Sequence, residues 1–563
     1  MEPFEKFKDN LLGYLHVEYE MENDDIHKRK GMSREEKIES NEMLTGLTVK
    51  SAQDLKYVLH APENYSKLRP GDKVKMNDSI KALVIDTDKD TITVEAKKPL
   101  EDHVVYDMEA ENPNLLNSLI GCLQGILPAT PGAHFLRLLS GEEEVVAEDF
   151  LKIDPEQQKG FKSVYSLLND EQKAAVKSML EFYPIHVLQG PPGTGKTLVL
   201  AATAISTSLE NREVVIVANT HHAVNNGLTK IRRLNDKIPL FKIGDLLKAE
   251  ELDDSIIKFE KFSEYNDYSR KNRRKKRQGY VIGMTIWGAI TYLGLHSHSH
   301  FRPYIALVDE ASLMPLTYAS ILGKCATSIC FFGDSRQMPP IFRPELEENN
   351  LSMSILDFCA SKVKGVPVSV LPVTHRMNKD ITALVSKSFY ESHGVVLHSA
   401  DEVCDRTFPS KYLDGNGWNN SIVFMNPELS TQNCCEENEG EATAVINMVK
   451  ALLDEGKKAS DIAVITPFRK QVRLLRGMAH DVIQSDEWPL IDTVERLQGQ
   501  DVECIILTFA SSSKKYIDDT ADFLFNPNRL NVMISRAKTK VIIFGSDIIL
   551  DRLKQILSNG GNN

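Results

Sequence analysis

Residues 190–197 read Gly190-Pro191-Pro192-Gly193-Thr194-Gly195-Lys196-Thr197. An apolar run, Ile185-His186-Val187-Leu188, with Gln189 after it, leads into them, and a helix-forming stretch from Leu198 to Leu209 follows. Strand, glycine-rich turn, Lys-Thr and helix in that order make a cradle for phosphates. Glycines let backbone N–H groups turn toward phosphate oxygens with no Cβ in the way. The helix N-terminus adds partial positive charge. Lys196 is placed to neutralise the β/γ-phosphates of ATP, and Thr197 to offer a hydroxyl to Mg²⁺. Gly190, Pro191, Pro192, Gly193, Thr194 and Gly195 supply the rest of the nucleotide wall.

Phosphate cradles serve many chemistries, so the next acidic strand end narrows the choice. Tyr304-Ile305-Ala306-Leu307-Val308 runs into Asp309-Glu310-Ala311-Ser312. An acid at the end of an apolar strand can hold Mg²⁺, and an adjacent carboxylate can orient and activate a water. Asp309 is therefore assigned with Thr197 to the metal, and Glu310 to the attacking water. The chemistry is ATP hydrolysis with Mg²⁺ as cofactor.

Further motifs follow in a fixed order. Phe331-Phe332-Gly333-Asp334-Ser335-Arg336-Gln337-Met338-Pro339-Pro340, taken with the two sites above, resembles motif III of superfamily 1 helicases. Leu168-Asn169-Asp170-Glu171-Gln172 is similar to the Q motif, Ala218-Asn219-Thr220-His221-His222-Ala223-Val224 to motif Ia, and Val281-Ile282-Gly283-Met284-Thr285 to the strand-and-threonine motif. In the second half, Leu371-Pro372-Val373-Thr374-His375-Arg376-Met377 resembles motif IV and Ile465-Thr466-Pro467-Phe468 the Thr-Pro-aromatic motif. Asp492-Thr493-Val494-Glu495-Arg496-Leu497-Gln498-Gly499-Gln500-Asp501 resembles motif V, and Asn528-Arg529-Leu530-Asn531-Val532-Met533-Ile534-Ser535-Arg536-Ala537-Lys538 motif VI. Within superfamily 1 the set resembles the subgroup of the nonsense-mediated decay helicase and its immunoglobulin-mu-binding relatives.

That resemblance implies two RecA-like domains with ATP in the cleft between them, and 5′-to-3′ movement. It makes Gln172 the adenine reader, whose amide offers both a donor and an acceptor, and Gln337 the γ-phosphate sensor. Arg376 and Arg536 would cross the cleft from the second domain, a contribution worth ~10³–10⁵ in rate in other P-loop enzymes. His375 stands where the subgroup often has an adenine-stacking Tyr, and Asp501 where many relatives have Glu. Both are nonetheless assigned to the nucleotide.

Asn219, Thr220 and Thr285 lie just after apolar runs in the first half; Thr466, Thr493 and Arg496 do so in the second. Short hydroxyl and amide groups at strand ends can bond phosphate oxygens without reading bases, which suits a motor indifferent to sequence. Each alone reads equally as a turn cap; as a matched set they are assigned to single-stranded DNA or RNA. Seven of the eight residues 270–277 are basic. They read equally as an electrostatic arm on nucleic acid and as a solvated loop or localisation tract. Tyr265 and Tyr268 just upstream could stack on bases or simply be solvated. His296, His298 and His300 alternate with serines and read as a solvated loop rather than a metal site.

The elements that must carry these groups fall in two series. Runs at 185–188, 214–218, 304–308 and 329–332, then at 368–371, 422–425, 462–465, 502–509 and 541–544, alternate with helical stretches. That is the pattern of α/β domains with buried parallel strands. The expected fold is α/β: two tandem RecA-like parallel-sheet domains, at 166–362 and 363–563, with a small inserted β-barrel and a helical stalk. The barrel is placed at 67–110, where short alternating runs flank a turn. The stalk is placed at 1–66 and 111–165, and a surface insertion at 227–280.

The 563 residues are 42% hydrophobic and 26% charged, ordinary for a soluble globular protein. No run of about 18 apolar residues suggests a membrane span, and the charged N-terminus lacks a signal core. Eight scattered cysteines without a Cys-x-x-Cys pair argue against zinc ribbons and fit a reducing compartment. A cytoplasmic place is expected, or a nuclear one in a eukaryote. A net charge of −12 weakens bulk attraction to nucleic acid, but contacts act within a Debye length of ~8–10 Å. Three function classes remain: a translocating helicase, an ATP-switched clamp or ribonucleoprotein remodeller that recruits partners, and a signalling NTPase indifferent to nucleic acid. The paired arginines and motif V weigh against the last. Protein partners are expected through the stalk and barrel or through residues 227–280.

Overall fold

The computed structural model describes residues 3–40, 42–61, 68, 72–77, 79–87, 91–111, 116–130, 132–147, 153–181, 183–272, 278–295, 303–343, 346, 351–427, 433–483, 488–494 and 501–559. The chain opens with a 29-residue helix, Pro3–Gly31, which buries Phe4, Leu11, Tyr14 and Leu15. These side chains pack against helices Leu116–Gln124 and Ala133–Ser140, which in turn meet Ala319–Cys325. Arg343 bonds the far end of the long helix through Asp25 at 2.8 Å.

Between these helices lies a closed barrel of six antiparallel strands: β1 (Met43–Gln53), β2 (Lys56–His60), β3 (Lys73–Met76), β4 (Ile80–Thr87), β5 (Thr91–Ala96) and β6 (Tyr106–Ala110). Ile92, Val94 and Ala96 alternate inward with Val74, Met76, Tyr57 and Leu59, as the two-residue period of a strand requires. The barrel starts at Met43, so the expectation of a helical stalk out to residue 66 fails for β1 and β2. The reason is local. β1 shifts register between Leu44 and Leu47, around Gly46 at φ 75. This bulge breaks the alternation by which the strand would be recognised.

The first lobe is an eight-stranded parallel sheet ordered β10-β9-β11-β8-β12-β13-β7-β14. Its strands are β7 (Ile185–Gln189), β8 (Glu213–Ala218), β9 (Leu240–Ile243), β10 (Ile257–Phe259), β11 (Tyr280–Thr285), β12 (Ile305–Asp309), β13 (Ser328–Gly333) and β14 (Val368–Val370). Helices cover both faces, so the central strands β8, β11, β12 and β13 are buried almost end to end. Two boundaries differ from the sequence expectation. β9 and β10 fall inside residues 227–280, where a surface insertion was expected, yet they extend the main sheet next to β11. Their short apolar runs are too brief to be told from loop residues by periodicity. β14 pairs with β7, so the first lobe continues past residue 362 and the chain crosses over only after Val370.

The second lobe holds a small pair, β15 (Val373–Thr374) with β16 (His398–Ser399), and a five-stranded parallel sheet ordered β17-β21-β20-β18-β19. The five are β17 (Ile422–Met425), β18 (Ile462–Ile465), β19 (Leu490–Asp492), β20 (Val502–Thr508) and β21 (Ala537–Phe544). Two parallel sheets thus each present their carboxyl-end loops, where α/β folds gather ligands.

Candidate ATP site and interlobe cleft

The register of the first sheet sets Gly333 of β13 beside Gln189 of β7, and Asp309 of β12 beside Ala218 of β8. The turn after β7 and the helix Lys196–Leu209 therefore open next to the acidic end of β12. Space in the turn is filled closely. A Cβ on Gly190 would lie 2.4 Å from the Lys196 side chain, and one on Gly195 2.5 Å from Gln172 Nε2. Lys196 Nζ donates to the Gly190 carbonyl, and Thr194 Oγ1 donates to Pro191 O at 2.8 Å.

Asp309 is buried, and loss of hydration, then repulsion from Glu310, push its carboxyl up to about 7, with Lys196 opposing. Glu310 sits at φ 54, a left-handed conformation rarely taken by a residue with a Cβ. Its N–H donates to Asp309 Oδ1 at 3.0 Å. Two adjacent carboxylates, one of them buried and pushed toward its neutral form by the other, make a pair whose repulsion a hard cation would relieve. The Asp309 and Thr197 oxygens fit Mg²⁺ in kind. Among the described residues no group of three or more His, Cys, Asp or Glu forms an all-protein metal cluster.

Gln172 lies buried beneath the turn. Its Nε2 donates to Thr194 O at 3.0 Å, and its Oε1 accepts from Asn169 N at 3.1 Å in a capping box. The amide expected to read adenine thus braces the phosphate turn from below. One amide hydrogen remains beyond these two bonds.

The second lobe reaches this turn directly. Thr374 Oγ1 donates to Pro192 O at 2.9 Å, and His375 N donates to Gly193 O at 2.8 Å. A Cβ on Gly193 would lie 2.5 Å from Arg376 Cβ, so only glycine permits this approach. Arg376 donates to Ser535 O at 3.1 Å and stands 3.7 Å from Asp501. Burial, then repulsion from Arg536, lower its pKa to about 10. Arg536 follows the helix Pro527–Ser535 and is 6% exposed. Burial lowers its pKa, while Glu310, Asp501 and Asp334 pull it back up. Among the described residues its Nε has no hydrogen-bond partner. The two guanidinium groups lie close to each other and to Glu310, and the free Nε of Arg536 is a donor that an anion could satisfy. His375 is half-exposed and pairs with Glu402 at 2.6 Å; Asp501 also stands 3.8 Å from Lys538.

Gln337 Nε2 donates to Asp334 Oδ2 at 2.9 Å. Asp334 was not singled out by the sequence, yet it is the hub of this loop. Its Oδ1 accepts from Gln189 at 2.7 Å and from Arg336 N at 3.0 Å, and its Oδ2 also accepts from Tyr390 OH at 2.6 Å. Tyr390 and its partner Asn531 were missed as well. Asn531 lies within motif VI, but nothing in the local pattern around Tyr390 announces a role.

The residues expected on a nucleic-acid track sit at carboxyl ends of strands in both lobes. Asn219 and Thr220 follow β8, Thr285 ends β11, Thr466 follows β18 and Thr493 follows β19. Each already has a local bond. Asn219 donates to Leu313 O at 3.0 Å, and Thr220 caps the helix His221–Leu234. Thr285 Oγ1 accepts from Gly288 N at 3.2 Å, and Thr466 Oγ1 from Phe468 N at 3.4 Å. Thr493 N donates to Asp492 Oδ1 at 2.7 Å. Arg496 lies outside the described residues, as do 273–277 of the basic run and His296, His298 and His300. Tyr265, considered for base stacking, is buried among Phe241, Phe259, Phe262 and Tyr280. Tyr268 packs on Phe241 and Phe259 of the same cluster. Both belong to the sheet edge, because β9 and β10 bring their aromatic neighbours there.

Two family models, each described as an AAA domain, match residues 167–349 and 351–548. The DNA replication ATP-dependent helicase/nuclease dna2 of Schizosaccharomyces pombe is 27% identical over 401 residues, 67% of this chain and 28% of that protein. DNA2 of Homo sapiens, under the same description, is 28% identical over 408 residues, 67% of this chain and 37% of its own. Both halves of the chain thus match AAA-domain models, and two thirds of it is similar to ATP-dependent helicase/nucleases. The chain spans well under half the length of those curated relatives. An Arterivirus nonstructural protein 10 (helicase) structure aligns over 90% of this chain and 80% of its own at 12% identity and a TM-score of 0.43, too distant to bear on the fold. No helix among the described residues is long and apolar enough to cross a membrane.

Proposed function

We propose that the chain is a motor that couples ATP hydrolysis between two RecA-like lobes to 5′-to-3′ movement on single-stranded DNA or RNA. The observation that carries this reading is the arginine pair, Arg536 buried and Arg376 partly buried, that the second lobe brings near Glu310 at the acidic end of β12. Glu310 orients the attacking water. Lys196, Arg376 and Arg536 balance charge as it develops on the transferred phosphoryl group. Asp309 and Thr197 would hold Mg²⁺, which when bound would neutralise phosphate charge. Gln172 supports the phosphate turn and retains one donor for adenine, with His375 and Asp501 at the rim.

Because the catalytic groups come from both lobes, closure assembles the site and opening takes it apart. The strand-end groups Asn219, Thr220, Thr285, Thr466 and Thr493, with Arg496 of the motif V sequence, would grip backbone phosphates on the two lobes in turn. The barrel and stalk, which echo the subgroup of the nonsense-mediated decay helicase, are the natural place for protein partners. The relatives' names speak of DNA replication, which makes single-stranded DNA the first substrate to test.

The test is unwinding of duplexes with 5′ or 3′ single-stranded tails, made in DNA and in RNA, in the presence of ATP and magnesium. Separation of 5′-tailed duplexes is expected. ATP hydrolysis stimulated by single strands without separation of any tailed duplex would favour an ATP-switched clamp instead.

A further inference from the structure

We propose that Tyr390 is a positioning residue that couples the Gln337 loop of the first lobe to the arginine-bearing helix of the second. The proposal deepens the ATPase reading above and rests on it for the role of Gln337.

Tyr390 ends a π-helical turn, Ser386–Tyr390, that directly continues the helix Lys379–Val385. Such a turn inserts a residue into helical register and is frequent at functional sites. Its effect is to aim a fully buried phenol across the lobe boundary. The hydroxyl donates to Asp334 Oδ2 at 2.6 Å and accepts from Asn531 Nδ2 at 2.8 Å. Asn531 also donates to Arg336 O at 2.7 Å. Asn531 sits on the helix Pro527–Ser535, which leads directly into Arg536. A chain of hydrogen bonds therefore runs from the Gln337 loop, through Asp334 and Tyr390, to the segment that presents the arginine.

Asp334 Oδ2 is shared. Gln337 Nε2 and Tyr390 OH both donate to it, at 2.9 and 2.6 Å. Two donors on one oxygen each bind it more weakly than one alone. When the Gln337 amide turns toward a γ-phosphate, Tyr390 keeps that oxygen to itself, and its bond tightens in the dry interior. Burial and the Asp334 carboxylate hold the phenol's pKa well above its usual value, so it remains a donor throughout. The sensor's movement on one lobe thereby strengthens the grip on the other, and Arg536 is held for the transition state. Gln189 and Arg336 N hold the other oxygen, Oδ1, and keep the carboxylate from following.

The experiment is a double-mutant cycle on steady-state ATP hydrolysis by the full chain. Its variants are Tyr390→Phe, Gln337→Ala and their combination, assayed with and without an oligothymidylate strand. Tyr390→Phe should lower kcat on the order of tenfold and leave KM for ATP within about twofold, because the lost bond acts in the transition state. The double variant should be scarcely worse than the Gln337→Ala single. A kcat within about twofold of the native rate, or effects that simply multiply, would overturn the proposal. Should Tyr390→Phe lose the fold, Asn531→Ser removes the same link from the other side; it should lower kcat in the same direction, and a native kcat would overturn the proposal. If the native chain is indifferent to the strand, the motor reading fails, while the cycle on the strand-free rate still decides the role of Tyr390.

Discussion

Replacing Arg536 by Met should separate catalysis from stability. The guanidinium is buried with an unpartnered Nε, and its pKa is lowered by loss of hydration despite Glu310, Asp501 and Asp334 nearby. A basic group whose pKa falls on folding binds its proton less tightly in the folded chain, so at neutral pH its charge opposes folding. Methionine keeps much of the apolar stem and removes the charge, and such replacements of buried ions are often neutral or stabilising. The melting temperature should therefore stay within about 3 °C of the native value or rise. Hydrolysis should behave oppositely. A guanidinium on the transferring phosphoryl group is worth ~10³–10⁵ in kcat, or roughly 4–7 kcal/mol. Steady-state ATP turnover at saturating nucleotide, with a thermal melt on the same preparation, reads both halves. A kcat within tenfold of native would refute the catalytic assignment, at about 1.4 kcal/mol per decade. A melt lowered by ~10 °C would refute the claim that the charge is held at a cost.

Glu310→Gln should bind ATP yet turn over at least ~10²-fold more slowly, checked by nucleotide-binding titration beside steady-state rates. Lys196→Ala should lose nucleotide binding or hydrolysis in the same assays. Asp309 holds its proton up to about 7, against about 3.9 in an unfolded chain. Between those values the unfolded form ionises first, so this residue's contribution to stability fades as pH rises through that window. Asp309→Asn should consequently raise the melting temperature at pH 8 relative to native, and not at about pH 4; equal shifts at both would contradict the raised pKa. Gln172→Ala should lower stability by about 1–2 kcal/mol in denaturant titration and raise KM for ATP, because it removes the Gln172 half of the capping box and the brace beneath the phosphate turn, while the Asn169 cap itself stays.

The residues of the candidate ATP site could be picked out from sequence because the signals are local. Residues 190–197 and Asp309-Glu310 carry their chemistry in a few consecutive positions flanked by apolar strands, and β17 and β18 occupy the very runs that alternation predicts. Legibility failed where the cause was tertiary or the pattern was interrupted. The bulge at Gly46 hid β1, and β9 and β10 were too short to stand out until β11 lay beside them. Tyr265 looked like a loop aromatic, yet it closes a cluster that exists only once the sheet edge is formed. Gln172 was assigned a role toward adenine from its motif, but its bonds to Thr194 and Asn169 could be seen only in space. Tyr390 and Asp334 are 56 residues apart, and only the crossing from one lobe to the other joins them.

On the reading proposed above, the second lobe completes the catalytic site. A structure of the chain with magnesium, ADP and a metal-fluoride mimic of the transferring phosphoryl group tests it most directly. The guanidinium of Arg536 should lie about 2.7–2.9 Å from the mimic, the length of a charge-assisted hydrogen bond. A mimic seated beside Lys196 while Arg536 remains turned toward protein groups alone would mean that the second lobe takes no part in phosphoryl transfer.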